Sequence, residues 1–85
     1  MNEELMICLY QGFGHTAKFF VPRHGYTLAI ALDSPEFDKK VCEIITKYNI
    51  TEVNLVGMEM LTEKVNELVC KNFPELKCIR VEANN

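Results

Sequence analysis

Apolar residues along the chain fall into two rhythms, and the change comes at Ser34. Before it, three short apolar runs are separated by glycine-bearing turns. After it, apolar positions recur at helical spacing, then as a strand, a helix and a strand again. The predicted order is β-β-β-α-β-α-β, a single α/β domain over residues 1–85 with almost no linker.

The first run, Leu5 to Gln11 (LMICLYQ), is nearly continuous and ends at Gly12. Such a run predicts a strand covered on both faces, and therefore central in a sheet. Gly12-Phe13-Gly14-His15 is a turn signal, because glycine reaches positive φ without a steric penalty. Ala17 to Val21 (AKFFV) is a second strand, and Pro22, which cannot donate to a ladder, belongs at its end or on an open edge. His24-Gly25 turns the chain into Tyr26 to Leu32 (YTLAIAL). There Tyr26, Leu28, Ile30 and Leu32 alternate with Thr27, Ala29 and Ala31, and the small side chains leave room for a helix to approach.

Ser34-Pro35-Glu36 reads as a helix start: a capping hydroxyl, a proline at the first helical position, then an acid at the positive end of the dipole. Phe37, Val41, Ile44, Ile45 and Tyr48 form one apolar stripe, and Asn49 suits the end of the helix. Glu52 to Val56 is a short strand closed by Gly57. Leu61, Val65, Leu68, Val69 and Phe73 mark a second amphipathic helix, stopped by Pro74. Lys77 to Glu82 is the last strand, with Ile79 and Val81 expected to face inward and Arg80 and Glu82 outward.

The turns between the early strands are too short for crossovers, so these strands form an antiparallel meander. The two helices then act as right-handed crossovers that add parallel strands. The simplest mixed five-stranded sheet has the order 3-2-1-4-5, with the second strand antiparallel to the rest. That order resembles the core of the ribonuclease-H-like fold, shared by nucleases, resolvases and the halves of actin-like ATPases. A small doubly wound or thioredoxin-like sheet with peripheral first strands is the competing arrangement. Crossovers running in opposite directions would divide the helices between the two faces; if both helices share one face, the other stays bare.

Composition narrows the function classes. The net charge is −3 with both signs interspersed, and no basic stripe of the kind that holds nucleic acid phosphates is visible. The four cysteines, Cys8, Cys42, Cys70 and Cys78, are scattered through apolar stretches without a C-x-x-C pair. They read as reduced, buried thiols of a cytoplasmic protein. Asn2, Glu3 and Glu4 stand where a secretory leader would be positive, and no segment has membrane-spanning length.

Candidate chemistry is sparse. At the carboxyl ends of the parallel strands, where open α/β sheets bind ligands, Asp33, Glu59 and Glu82 could ligate a divalent cation. The preferred explanation of Asp33 and Glu59 is their place at helix N-termini, where negative charge is favourable. The ribonuclease-H-like resemblance implies a metal-binding aspartate in the middle of the first strand, but Met6-Ile7-Cys8-Leu9-Tyr10 holds no carboxylate. Gly12-Phe13-Gly14-His15-Thr16 is similar to the phosphate hairpin of actin-like ATPases, with Gln11 in place of the acidic residue. His15 and His24 would lie roughly 25–30 Å apart along the second strand, too far to share a metal. Ser34 is the one serine and is explained as a cap.

The expectation is therefore a small non-catalytic module without a cofactor, binding another protein or itself as a homodimer. Its contact surface would be Phe13, Phe19, Phe20 and Tyr26, because consecutive phenylalanines place one ring on each face of a strand. A metal-dependent hydrolase or nucleic-acid-processing remnant, using Asp33, Glu59 and Glu82, is the alternative.

Overall fold

A computed structural model describes residues 2–9 and 15–82 of the chain. The elements are β1 (Glu4–Leu9), β2 (Thr16–Val21), a 3₁₀ turn (Pro22–His24), β3 (Tyr26–Ala31), α1 (Phe37–Lys47), β4 (Glu52–Gly57), α2 (Glu59–Asn72) and β5 (Lys77–Glu82). They form one mixed sheet in the order β3-β2-β1-β4-β5, with β2 antiparallel to both of its neighbours. The strand order and directions are those the sequence implies.

Both crossovers travel the same way across this sheet, β3 to β4 and then β4 to β5. Two right-handed crossovers in one direction put their helices on one face. The core lies between that face and the helices. Leu5, Ile7 and Leu9 from β1 join Ala17, Phe19 and Val21 from β2 and Val53 and Leu55 from β4. Phe37, Val41, Ile44 and Ile45 of α1 and Val65 and Val69 of α2 close over them. Phe19 is fully buried, its ring 5.6 Å from that of Phe37. Each such side chain contributes roughly 1.5–3 kcal/mol on leaving water.

Several local expectations need correction. α1 begins at Phe37, so Pro35 precedes its first turn rather than opening it. Ser34 still organises the start: its hydroxyl accepts the Glu36 N–H at 3.2 Å, and its carbonyl accepts that of Phe37. Asn49 ends the helix in the left-handed conformation, φ 51°, and the next N–H, of Ile50, returns to the Ile45 carbonyl. β1 is central but buried on one face only, since Met6 and Cys8 remain half-exposed. β3 turns its bulky residues, not its small ones, toward the helices.

β5 is reversed relative to the sequence reading. Cys78 packs against the core, and Arg80 stands on the helix side, where its guanidinium lies 3.7 Å from Glu63 of α2. Ile79 and Val81 fall on the far face, and Val81 is 49% exposed. Thr62 of α2 is a core residue that periodicity missed. It is buried, and its hydroxyl donates to the Glu59 carbonyl at 2.9 Å, so the polar group enters the core with its partner.

Candidate binding face

With both helices on one side, the other side of the sheet is bare among the described residues. Strand register fixes what lies there. Thr27, Phe20, Met6, Asn54 and Ile79 form one row across the five strands; Ala29, Lys18, Cys8, Val56 and Val81 form the next. Phe20 is 39% exposed, a large ring left in solvent by a sheet that has no cover for it. Beside it a shallow depression of ≈ 270 Å³ is lined by Met6, Cys8, Lys18, Phe20 and Thr27.

Charge on this face is balanced: Lys18 stands within the second row, between Ala29 and Cys8, while Glu4, Glu52 and Lys77 line one end. Lys77 lies 3.6 Å from Glu52, whose other oxygen accepts the Asn54 amide at 3.3 Å. Glu4 and Lys18 complete the set. The face thus combines the apolar side chains of Phe20, Met6, Val56, Ile79 and Val81 with one lysine among them and a charged end.

Of the four residues expected to make a contact surface, the three described ones, Phe19, Phe20 and Tyr26, are not brought together. Phe20 is on the open face. Phe19, its neighbour, points the opposite way into the core and is removed from the set, because a fully buried ring offers nothing to a partner. Tyr26 is half-buried on the helix side, its ring 5.4 Å from Tyr48. Phe13 lies outside the described residues, as do Gln11 and both glycines of the phosphate-hairpin pattern. Met6, Cys8, Val56, Ile79 and Val81 were missed. Their signal was present in the alternation of each strand, but it becomes a face only once the register is known.

The carboxylates proposed as metal ligands are also dispersed. Asp33 follows β3 at one edge of the sheet, while Glu59 opens α2 after β4. Three strand spacings separate those strands, roughly 14 Å at about 4.8 Å each. Glu82 ends β5, one strand further on. Among the described residues, no group of three His, Cys, Asp or Glu side chains converges as a cation site.

His24 serves a structural cluster. Its Nε2 lies 3.4 Å from Glu3, and its ring sits 4.8 Å from Tyr48. Glu3 is held by Thr51, whose hydroxyl accepts the Glu3 N–H at 3.0 Å, and lies near the Arg23 guanidinium. The four thiols are free. Contrary to expectation, Cys70 is exposed and the other three are half-buried. Burial raises the Cys42 thiol pKa, helped by the Asp38 carboxylate. Burial also raises that of Cys78, with Cys70 adding and Arg80 opposing. Neither is thus prepared as a nucleophile at neutral pH. Met58 and Met60 are exposed at the start of α2.

One concavity, ≈ 480 Å³, lies at the amino ends of β4 and β5, lined by Ile50, Thr51, Asn72, Phe73, Pro74, Glu75 and Leu76. It contains one carboxylate and no base or nucleophile beside it. A second, ≈ 340 Å³, lies between the end of β3 and the two helices. Neither gathers a catalytic set.

The chain is similar to part of a Pelota. Compared with solved structures, it aligns with Pelota of Archaeoglobus fulgidus, whose crystal structure reveals inter-domain structural plasticity, at a TM-score of 0.69 and 15% sequence identity. The alignment covers 98% of this chain and 27% of that one, so this chain spans about a quarter of the other's length. At this identity the likeness concerns the fold alone. No family model and no curated protein matches the sequence. No helix among the described residues is long and apolar enough to cross a membrane.

Proposed function

We propose that the protein is a non-catalytic binding module that holds another polypeptide on the open face of its sheet. The observation that carries this reading is Phe20, 39% exposed at the centre of an apolar patch that the fold's own helices leave uncovered. A sheet with one covered face is completed by a further layer, and the occupant that suits this one is an amphipathic helix. Its apolar side would lie over Phe20, Met6 and Val56. Its polar side needs no strong net charge, because Lys18 and Lys77 balance Glu4 and Glu52 on the module's face. The scattered carboxylates and the raised thiol pKa of Cys42 and of Cys78 support binding over catalysis. A cytoplasmic setting accords with four unbridged cysteines.

The test places a photo-crosslinking amino acid at position 20 in living cells, with position 67, exposed on α2, as the control. The reading expects a discrete polypeptide adduct from position 20, identified by mass spectrometry, and none from position 67. No adduct at position 20, or the same adducts from both sites, defeats it.

A further inference from the structure

The outer edge of the sheet at β3 is a second surface, separate from the open face and argued independently of it. β3 is bonded on one side only, by β2. Its register pairs Tyr26 with Val21, Leu28 with Phe19 and Ile30 with Ala17, and the Leu32 N–H donates to the His15 carbonyl at 2.7 Å. In an antiparallel ladder, hydrogen-bonded pairs alternate with non-bonded ones. Leu28, Ile30 and Leu32 therefore direct their backbone groups toward β2. Thr27, Ala29 and Ala31 direct theirs outward. The Ala31 carbonyl is taken by the Ser34 N–H at 3.1 Å, across the turn that leads toward α1. Thr27 and Ala29 each keep a donor and an acceptor unpaired among the described residues.

Natural sheets blunt such edges with charge, proline or a bulge, because an open ladder recruits other strands. β5, at the opposite edge, is blunted by Lys77 and Arg80. β3 is not: from Tyr26 to Leu32 it carries no charged residue, no proline and no glycine. The open edge is thus paired with a sequence that offers no repulsion.

We propose that β3 pairs antiparallel with β3 of a second copy, about a two-fold axis at Leu28, joining two sheets into one of ten strands. This register sets Thr27 opposite the partner copy's Ala29, and Ala29 opposite its Thr27. The outward N–H groups and carbonyls of Thr27 and Ala29 in both copies are then used in one stroke, as four hydrogen bonds between hydrogen-bonded pairs. On the helix side, Leu28 meets its own symmetry mate and Tyr26 meets Ile30, so half-exposed apolar side chains gain cover. On the open face only Thr27 and Ala29 meet, which are small enough to sit together. No like charges oppose each other anywhere along the pair. A strand that is complementary to itself under a two-fold makes a closed contact, so assembly stops at the dimer.

Sedimentation velocity over a concentration series tests this, combined with amide exchange. The wild-type protein is expected to dimerise, and the Thr27 and Ala29 amides to become protected as concentration rises. Ala29→Pro removes an outward N–H that the monomer does not use, and proline is tolerated at such an edge position. It is expected to weaken dimerisation at least tenfold while circular dichroism stays native. Ala29→Lys, an exposed substitution, makes the same prediction and decides the matter if the proline variant does not fold. Phe20→Glu on the open face is expected to leave the dimer intact, which separates this proposal from the face reading. A monomer at every concentration overturns the proposal. So does a dimer that survives both Ala29 variants, or edge protection that appears only with a strand from a different protein.

Discussion

Gly57 stands so close to Leu9 that a β-carbon on it would lie 2.5 Å from the Leu9 carbonyl oxygen and 2.9 Å from the Leu9 side chain. The two are register partners at the end of the parallel β1–β4 pair. The obstruction is largely backbone, which cannot swing aside as a flexible side chain would. Gly57→Ala is therefore expected to destabilise the fold by about 2–3 kcal/mol. For a chain of this length that corresponds to a fall in Tm of roughly 10–20 °C by thermal circular dichroism. Gly25, with open space around its missing β-carbon, provides a comparison position where crowding plays no part.

Consecutive phenylalanines separate core from surface. Phe19→Ala empties a fully buried site and is expected to cost about 3–5 kcal/mol, measured by urea denaturation. Phe20→Ala removes a ring already 39% exposed and is expected to cost less than about 1 kcal/mol. Equal losses would mean that the sheet's second face is covered.

Much of the architecture was readable from residues alone, and the reasons are local. Short turns force antiparallel neighbours, helices force right-handed parallel crossovers, and the apolar run of β1, which belongs at the centre, then selects the strand order 3-2-1-4-5. Sidedness was not readable from the same rules. Alternation in β5 says that Ile79 and Val81 share a face, but not which face meets the helices. There the smaller Cys78 and the long stem of Arg80 lie on the α2 side, against the simple hydrophobic pattern. A continuous apolar run in β1 likewise signalled a central strand correctly, yet Met6 and Cys8 face a surface that no element described covers. The site suffers most from this limit, because it exists only as a row across five strands.

The half-buried thiols of Cys42 and Cys78 give the protein an alkaline limit. Cys42 and Cys78 hold their protons above the ordinary thiol value of 9.0, so the unfolded chain releases those protons first as pH rises. Their contribution is fully present below that value and is lost on going above it. Urea midpoints for the wild type are expected to be level between pH 7 and 8 and to fall beyond about pH 9. The Cys42→Ala/Cys78→Ala double variant is expected to show a shallower fall; identical slopes would rule out the thiols as the source.

Separation of Asp33 from Glu59 predicts indifference to divalent cations. Titration of the protein with Mg²⁺ or Mn²⁺ should release no binding heat, and Asp33→Asn should melt at the wild-type temperature in either salt. A saturable heat that Asp33→Asn abolishes would restore the hydrolase alternative.

The pairing of β1 with β4 joins residues 48 positions apart, from Glu4 with Glu52 to Leu9 with Gly57. During synthesis the amino-terminal strand therefore leaves the ribosome long before its central neighbour exists. Until then Leu5, Ile7 and Phe19 can only be sheltered by the early hairpins or by a chaperone. Closing the middle of the sheet must wait for the second half of the chain, a non-local step of the kind that slows folding. The nascent chain is most prone to misassociation in that interval, between the emergence of its third strand and its fourth.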